Sequence, residues 1–265
     1  MTPQPAANRA RAPHDALAAQ TAPVDETLTI HLLPAHAATP SVPLLLYRVL
    51  LAAEFLFLFI TLPLLLFFHW DTAVPPLPAL WIVAVYCLII LLRDPTFDRH
   101  QLWNAAAFRK QLPQMLGLFL AGTAVIAALV HAYAPNLFLI LPRTHTRAWL
   151  IVLALYTTIS VYPQSLIYRA FLFHRYRPLL PSNPRPLDPR TRSLILILVS
   201  GATFALVHIL FHNWIAVALT FPGGILFARR YDDTRSLALS SFEHALYGCF
   251  LFTIGLGQFF YVRVV

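Results

Sequence analysis

The chain has 265 residues, of which 58% are apolar or aromatic and only 11% charged, against roughly 25% charged in an ordinary soluble domain. With a mean hydropathy of +0.67, this excludes a disordered chain and a water-soluble globule and leaves an all-α, polytopic transmembrane helical bundle. The formal net charge of +8 is spread between apolar runs instead of forming an aromatic-interleaved groove. That argues against nucleic acid and for the lipid bilayer as the partner of the basic residues.

In chain order, residues 1–42 are rich in Ala and Pro and hold no apolar stretch long enough for a signal peptide; they read as a flexible tail. Apolar runs follow at 44–68, 78–92, 113–131, 148–168, 193–211, 214–228 and 237–260, predicting about seven spans. They divide into N-terminal spans within 43–147 and a core within 148–265. Basic residues alternate between the connections. Arg93, Arg99, Arg109 and Lys110 follow the second run, Arg175, Arg177, Arg185, Arg190 and Arg192 the fourth, and Arg229, Arg230 and Arg235 the sixth. The other connections carry only Arg143 and Arg147, with Arg263 near the end. Basic loops stay on the cytoplasmic side, so the pattern predicts a cytoplasmic N-terminus and an integral protein of a bacterial inner membrane. Cys87 and Cys249 lie inside apolar runs and read as small buried side chains. The sixth run is about 22 Å long at 1.5 Å per residue, shorter than a bilayer core. Its Pro222, Gly223 and Gly224 are read as permitting close helix approach.

Polar groups inside apolar spans are costly and mark candidate sites. Glu54, Gln164 with Ser165, Arg169, His208, and Glu243 with His244 are such groups. Counted along ideal helices from the nearest cytoplasmic Arg, His244, Gln164 and His208 lie at roughly 13, 16 and 17 Å. Three spans thus offer polar side chains at one depth, as an enclosed site requires.

The segments Tyr162-Pro163-Gln164-Ser165-Leu166-Ile167-Tyr168-Arg169, Phe204-Ala205-Leu206-Val207-His208 and Glu243-His244-Ala245-Leu246-Tyr247-Gly248 together resemble the three motifs of the CPBP (Abi) intramembrane endopeptidases, relatives of the CAAX prenyl endopeptidase. The family pattern is E-E-x-x-x-R, F-x-x-x-H and H-x-x-x-N, and the resemblance spans about residues 148–260. It implies intramembrane hydrolysis of a peptide bond in a membrane-associated peptide or protein, with no cofactor and no metal. The family's first glutamate and F-x-x-x-H histidine activate water, and its last histidine and asparagine stabilise the oxyanion. By the resemblance these roles fall on Gln164, His208, His244 and Gly248.

Arg169, Phe204, His208 and His244 match the pattern, while Gln164, Ser165 and Gly248 depart from it. A glutamine amide accepts no proton near neutral pH, and glycine offers no donor to an oxyanion. Glu243 is the nearest carboxylate in sequence that could assist, although adjacent helical residues diverge by about 100°. Ser165, Arg169, Phe204 and Gly248 are read as supporting positions. Three alternatives stand beside the peptidase reading: a catalytically inactive relative that binds or scaffolds membrane partners, a metal shared by His208, His212 and His244, and a small-molecule transporter.

Overall fold

The computed structural model describes residues 44–68, 76–181 and 187–260. The expected tail at 1–42, and Arg185 and Arg263 of the charge pattern, lie outside the described residues. Among the described residues all regular structure is helical. The helices are α1 (Leu44–Phe68), α2 (Pro76–Arg93), α3 (Ala105–Tyr133), the short α4 (Ile140–Thr144), α5 (Thr146–Arg175) and α6 (Pro189–Phe211), α7 (Trp214–Thr234) and α8 (Leu237–Ile254).

By length and hydropathy, α1, α5, α6, α8 and the stretch Arg99–Tyr133 that contains α3 can each cross a membrane, while Leu77–Arg93 is shorter. The chain is therefore an integral membrane protein. The sixth apolar run, expected at 214–228, is part of a longer helix. α7 continues to Thr234 because its charged last turns are helical too, with Arg229 paired to Asp233 at 3.1 Å.

Short polar residues start the helices. Asp188 accepts from the backbone N–H groups of Arg190 and Thr191 at the head of α6, with Pro189 following it. Asn213 accepts from Ala216 N at 2.8 Å to begin α7, and Ser236 accepts from Leu239 N to begin α8. Each cap satisfies an N–H that the first helical turn leaves without a partner.

Two prolines shape the long helices. Pro63 and Pro163 each follow a widened π turn, Phe57–Thr61 in α1 and Tyr156–Val161 in α5. A proline ring crowds the carbonyl four residues back and leaves it without an N–H donor. For Pro163 that carbonyl belongs to Ile159, and Trp81 of α2 donates its indole N–H to it at 2.9 Å. The side chain of one helix thus repairs the backbone of another, which a hydrocarbon environment demands.

α6 and α7 cross closely at Gly201 and Gly224. A Cβ on Gly224 would lie 2.9 Å from the Gly201 Cα, so the small residues let the two backbones meet. Ser200 donates to the Tyr168 carbonyl at 2.7 Å and Ser240 to that of Phe227 at 2.8 Å, pinning α6 to α5 and α8 to α7. A buried aromatic core including Phe59, Tyr168, Phe171, Phe204, Phe227 and Tyr231 fills the inner part of the bundle.

Candidate active site

Gln164 on α5, His208 on α6 and His244 on α8 line one cavity of about 290 Å³, together with Gly248, Phe204 and Phe227. The walls are mostly aromatic and aliphatic, so polar groups projecting into it are few.

His208 opens the 3-10 turn His208–Phe211 that ends α6. Its Nδ1 lies 2.6 Å from the Phe204 carbonyl oxygen. A carbonyl only accepts, so in the neutral ring Nδ1 carries the proton and Nε2 the lone pair. The aromatic spacing of the motif has a local reason, since Phe204, one turn earlier, packs its ring 4.7 Å from the imidazole and supplies the carbonyl that orients it.

His244 is buried and stacks on Phe227 with ring centroids 4.7 Å apart and an interplanar angle of 25°. Phe204 meets it edge-on at 5.3 Å. Its Nδ1 has no hydrogen-bond partner among the described residues. The amide Nε2 of Gln164 donates to Ser160 Oγ at 2.7 Å, while its Oε1 is buried and without a donor. Gln164 and the two imidazoles thus line the cavity, and the amide oxygen and His244 Nδ1, both buried, have hydrogen-bonding capacity to spare.

The remaining candidates fall elsewhere. Glu243 faces away from the cavity and is held by Arg230 of α7, whose Nε and a terminal nitrogen donate at 3.0 and 3.1 Å; both partners are buried. Its neighbour His244 faces the cavity because consecutive helical residues point about 100° apart. Arg169 is fully buried, with its guanidinium 4.4 Å from the Phe204 ring centroid and 5.4 Å from that of Phe227. None of its nitrogens has a hydrogen-bond partner among the described residues, and neither has Ser165 Oγ.

Glu54 accepts from Tyr86 at 2.7 Å and pairs with Arg175 at 2.9 Å, tying α1, α2 and α5 together. His212, in the left-handed region at φ 54°, stacks on Phe67 at 4.6 Å. Among the described residues no group of three His, Cys, Asp or Glu side chains is placed to hold a metal ion.

Two cavity residues carry no signal in the motifs. Phe227 stacks on His244, and Tyr156 on α5 joins the wall. Eight residues separate Tyr156 from Gln164, which on a regular helix puts them about 80° out of phase. The π turn Tyr156–Val161 adds one residue to a turn and brings both onto one face to within about 20°.

With this geometry in view, residues 144–250 match the family model described as Type II CAAX prenyl endopeptidase Rce1-like. Over these residues the chain is similar to the Rce1-like family. The matched segment runs from the last residue of α4 into α8 and so contains every polar cavity residue named above. No curated protein and no solved structure matches the chain.

Proposed function

We propose that this CAAX protease-type membrane protein is an intramembrane endopeptidase that cleaves a peptide bond in a membrane-associated substrate, with residues 148–265 as its catalytic core. The observation that carries the reading is the meeting of Gln164, His208 and His244 from three helices in one largely apolar cavity.

The chemistry follows from the donor and acceptor roles. A water in the cavity gives one hydrogen bond to Gln164 Oε1, which holds and aims it. Its other proton passes to His208 Nε2 as the water oxygen attacks the scissile carbonyl carbon. The C=O π pair moves onto the carbonyl oxygen, where a His244 N–H stabilises it. When that pair returns, the C–N bond breaks, and the proton on His208 passes to the departing nitrogen. The second water proton stays on the attacking oxygen, so the products are a carboxylic acid and an amine, which become carboxylate and ammonium by passing that proton from acid to amine, and His208 is neutral again. Low-dielectric walls strengthen each of these interactions. Glu243 is committed to Arg230, so in this scheme it braces α7 against α8 while His208 alone takes the proton.

The bundle's partners are then the bilayer and a membrane-associated peptide or protein. Orientation with the N-terminus in the cytoplasm of a bacterial inner membrane belongs to the same reading, supported by the alternating basic connections. A second reading, an inactive relative that binds its partner in the cavity, draws support from the engagement of Glu243 by Arg230 and from glutamine at position 164.

Purified protein in vesicles of phosphatidylethanolamine and phosphatidylglycerol separates the two. The probes are a peptide ending in farnesyl-cysteine plus three residues and the same peptide anchored by an acyl chain. The peptidase reading expects cleavage of at least one probe by the wild type and none by His208→Ala or His244→Ala. Binding of either probe without cleavage, in the wild type as in the variants, favours the second reading.

A further inference from the structure

An oxyanion beside His244 sits in a cavity where a second donor would strengthen its stabilisation. Position 248, one turn further along α8, is a glycine and offers none. The space into which a side chain there would project is not empty. A Cβ built on Gly248 would lie 2.1 Å from the Tyr156 hydroxyl oxygen and 2.2 and 2.3 Å from the ring carbons Cε1 and Cζ. A phenol from α5 thus fills the volume that a side chain at 248 would occupy.

The other hydroxyls of the cavity wall are engaged. Thr220 donates to the Ala216 carbonyl at 2.7 Å, Tyr247 donates to the Leu118 carbonyl at 3.3 Å, and Ser160 Oγ accepts from Gln164 Nε2 at 2.7 Å. No hydrogen bond among the described residues engages the Tyr156 hydroxyl. Its ring is held 6.0 Å from the His244 ring at 86° and 5.3 Å from Phe252, and the π turn at its own position aims it inward. A phenolic O–H inside an apolar cavity is normally hydrogen-bonded, and here the partner available to it is a bound ligand.

We propose that the Tyr156 hydroxyl is the second oxyanion donor of the reaction, standing in for the side chain that Gly248 lacks. This rests on the peptidase reading above. Tyr156 keeps its proton throughout: it donates a hydrogen bond to the carbonyl oxygen as negative charge builds there, and the bond weakens again when the C–N bond breaks. An interaction that strengthens in the transition state raises kcat and leaves substrate binding nearly unchanged. The overlap also fixes which reconstruction is possible. A side chain at 248 overlaps the phenol in the position it holds here, so Gly248→Asn alone displaces the Tyr156 hydroxyl from the site, whereas Tyr156→Ala with Gly248→Asn makes room for a new donor.

The test compares cleavage of the two anchored peptides by wild type, Tyr156→Phe, Gly248→Asn and the Tyr156→Ala/Gly248→Asn double variant, with His208→Ala alongside. Tyr156→Phe is expected to lower kcat by about 10² to 10³, the usual loss for one oxyanion donor, with KM changed less than about twofold. Gly248→Asn is expected to be inactive, and the double variant, with the phenol removed and an amide donor in its place, to recover at least about tenfold over Gly248→Asn. Wild-type kcat in Tyr156→Phe, with His208→Ala inactive, overturns the role of Tyr156 and leaves the peptidase reading standing. Wild-type turnover that His208→Ala does not reduce, or no turnover in the wild type, overturns both. Should Tyr156→Phe fail to fold, the double variant decides: no recovery over Gly248→Asn overturns the proposal.

Discussion

Arg230 of α7 grips the Glu243 carboxylate of α8 through two nitrogens at 3.0 and 3.1 Å, and both side chains are buried. Gln111 of α3 receives a further bond from the same guanidinium at 3.4 Å. Removing one member of such a pair leaves the other charged, buried and alone, at a cost of about 3–5 kcal/mol. Arg230→Met should therefore lower the thermal unfolding temperature in detergent markedly. The double variant Arg230→Met/Glu243→Met should return it to near the wild-type value, since buried pairs replaced by apolar side chains are often neutral. A double variant as unstable as the single one would show that the pair contributes through something other than mutual charge compensation.

Arg169 offers the converse. Its guanidinium rests on Phe204 and Phe227, an attraction of about 2 kcal/mol when desolvated, but its nitrogens have no hydrogen-bond partner among the described residues. Uncompensated burial of a cation costs several kcal/mol. Arg169→Met is expected to leave the unfolding temperature unchanged or raise it. A fall as large as that of Arg230→Met would contradict this balance.

Trp81 is the donor that completes the broken ladder at Pro163. Trp81→Phe keeps an aromatic ring and removes the N–H, stranding the Ile159 carbonyl. The expected loss is about 1–3 kcal/mol, read as a lower unfolding temperature. Accelerated amide hydrogen exchange confined to residues 156–166 of α5 would accompany it. Equal stability of the two proteins would mean that this carbonyl is satisfied in another way.

Outside the spans, Asp94 follows α2 and accepts from Thr96 N and Oγ1 at 2.8 and 2.6 Å and from His174 at 2.9 Å. Burial alone would push its carboxyl up. The hydrogen bonds from Thr96 and His174 outweigh burial and hold it below the usual carboxylate range. A carboxyl depressed in the folded state contributes stability above its unfolded pKa, near 3.9, and loses that contribution as pH falls through the folded value. Asp94→Asn should thus lower stability at neutral pH and flatten the decline below about pH 4. An unfolding temperature with the same acid limb in both proteins would refute the assignment.

Much of the fold is legible in the sequence because a bilayer allows few alternatives to apolar helices. The runs beginning at Leu44, Trp214 and Leu237 all open helices. The end of α7 was not legible, since hydropathy stops at Ala228 while helical geometry continues through a charge-paired turn to Thr234. At the site, Gln164, His208 and His244 stand out because each is a polar residue in an apolar run. Tyr156 does not, because a tyrosine among apolar residues reads as packing and its phase relative to Gln164 depends on the π turn before Pro163, which hydropathy does not register. The partner of Glu243 was equally hidden: Arg230 lies thirteen residues earlier, across a turn between two helices, and its place beside Glu243 is set by tertiary packing.

The central claim is that a water held between Gln164 and His208 is the nucleophile. The most direct measurement is cleavage of an anchored peptide in 18O-labelled water, followed by mass spectrometry of the fragments. The account predicts one 18O atom in the new C-terminal carboxylate of the wild-type product and no such fragment from His208→Ala. A labelled fragment formed as readily by His208→Ala, or no fragment from the wild type, would contradict it.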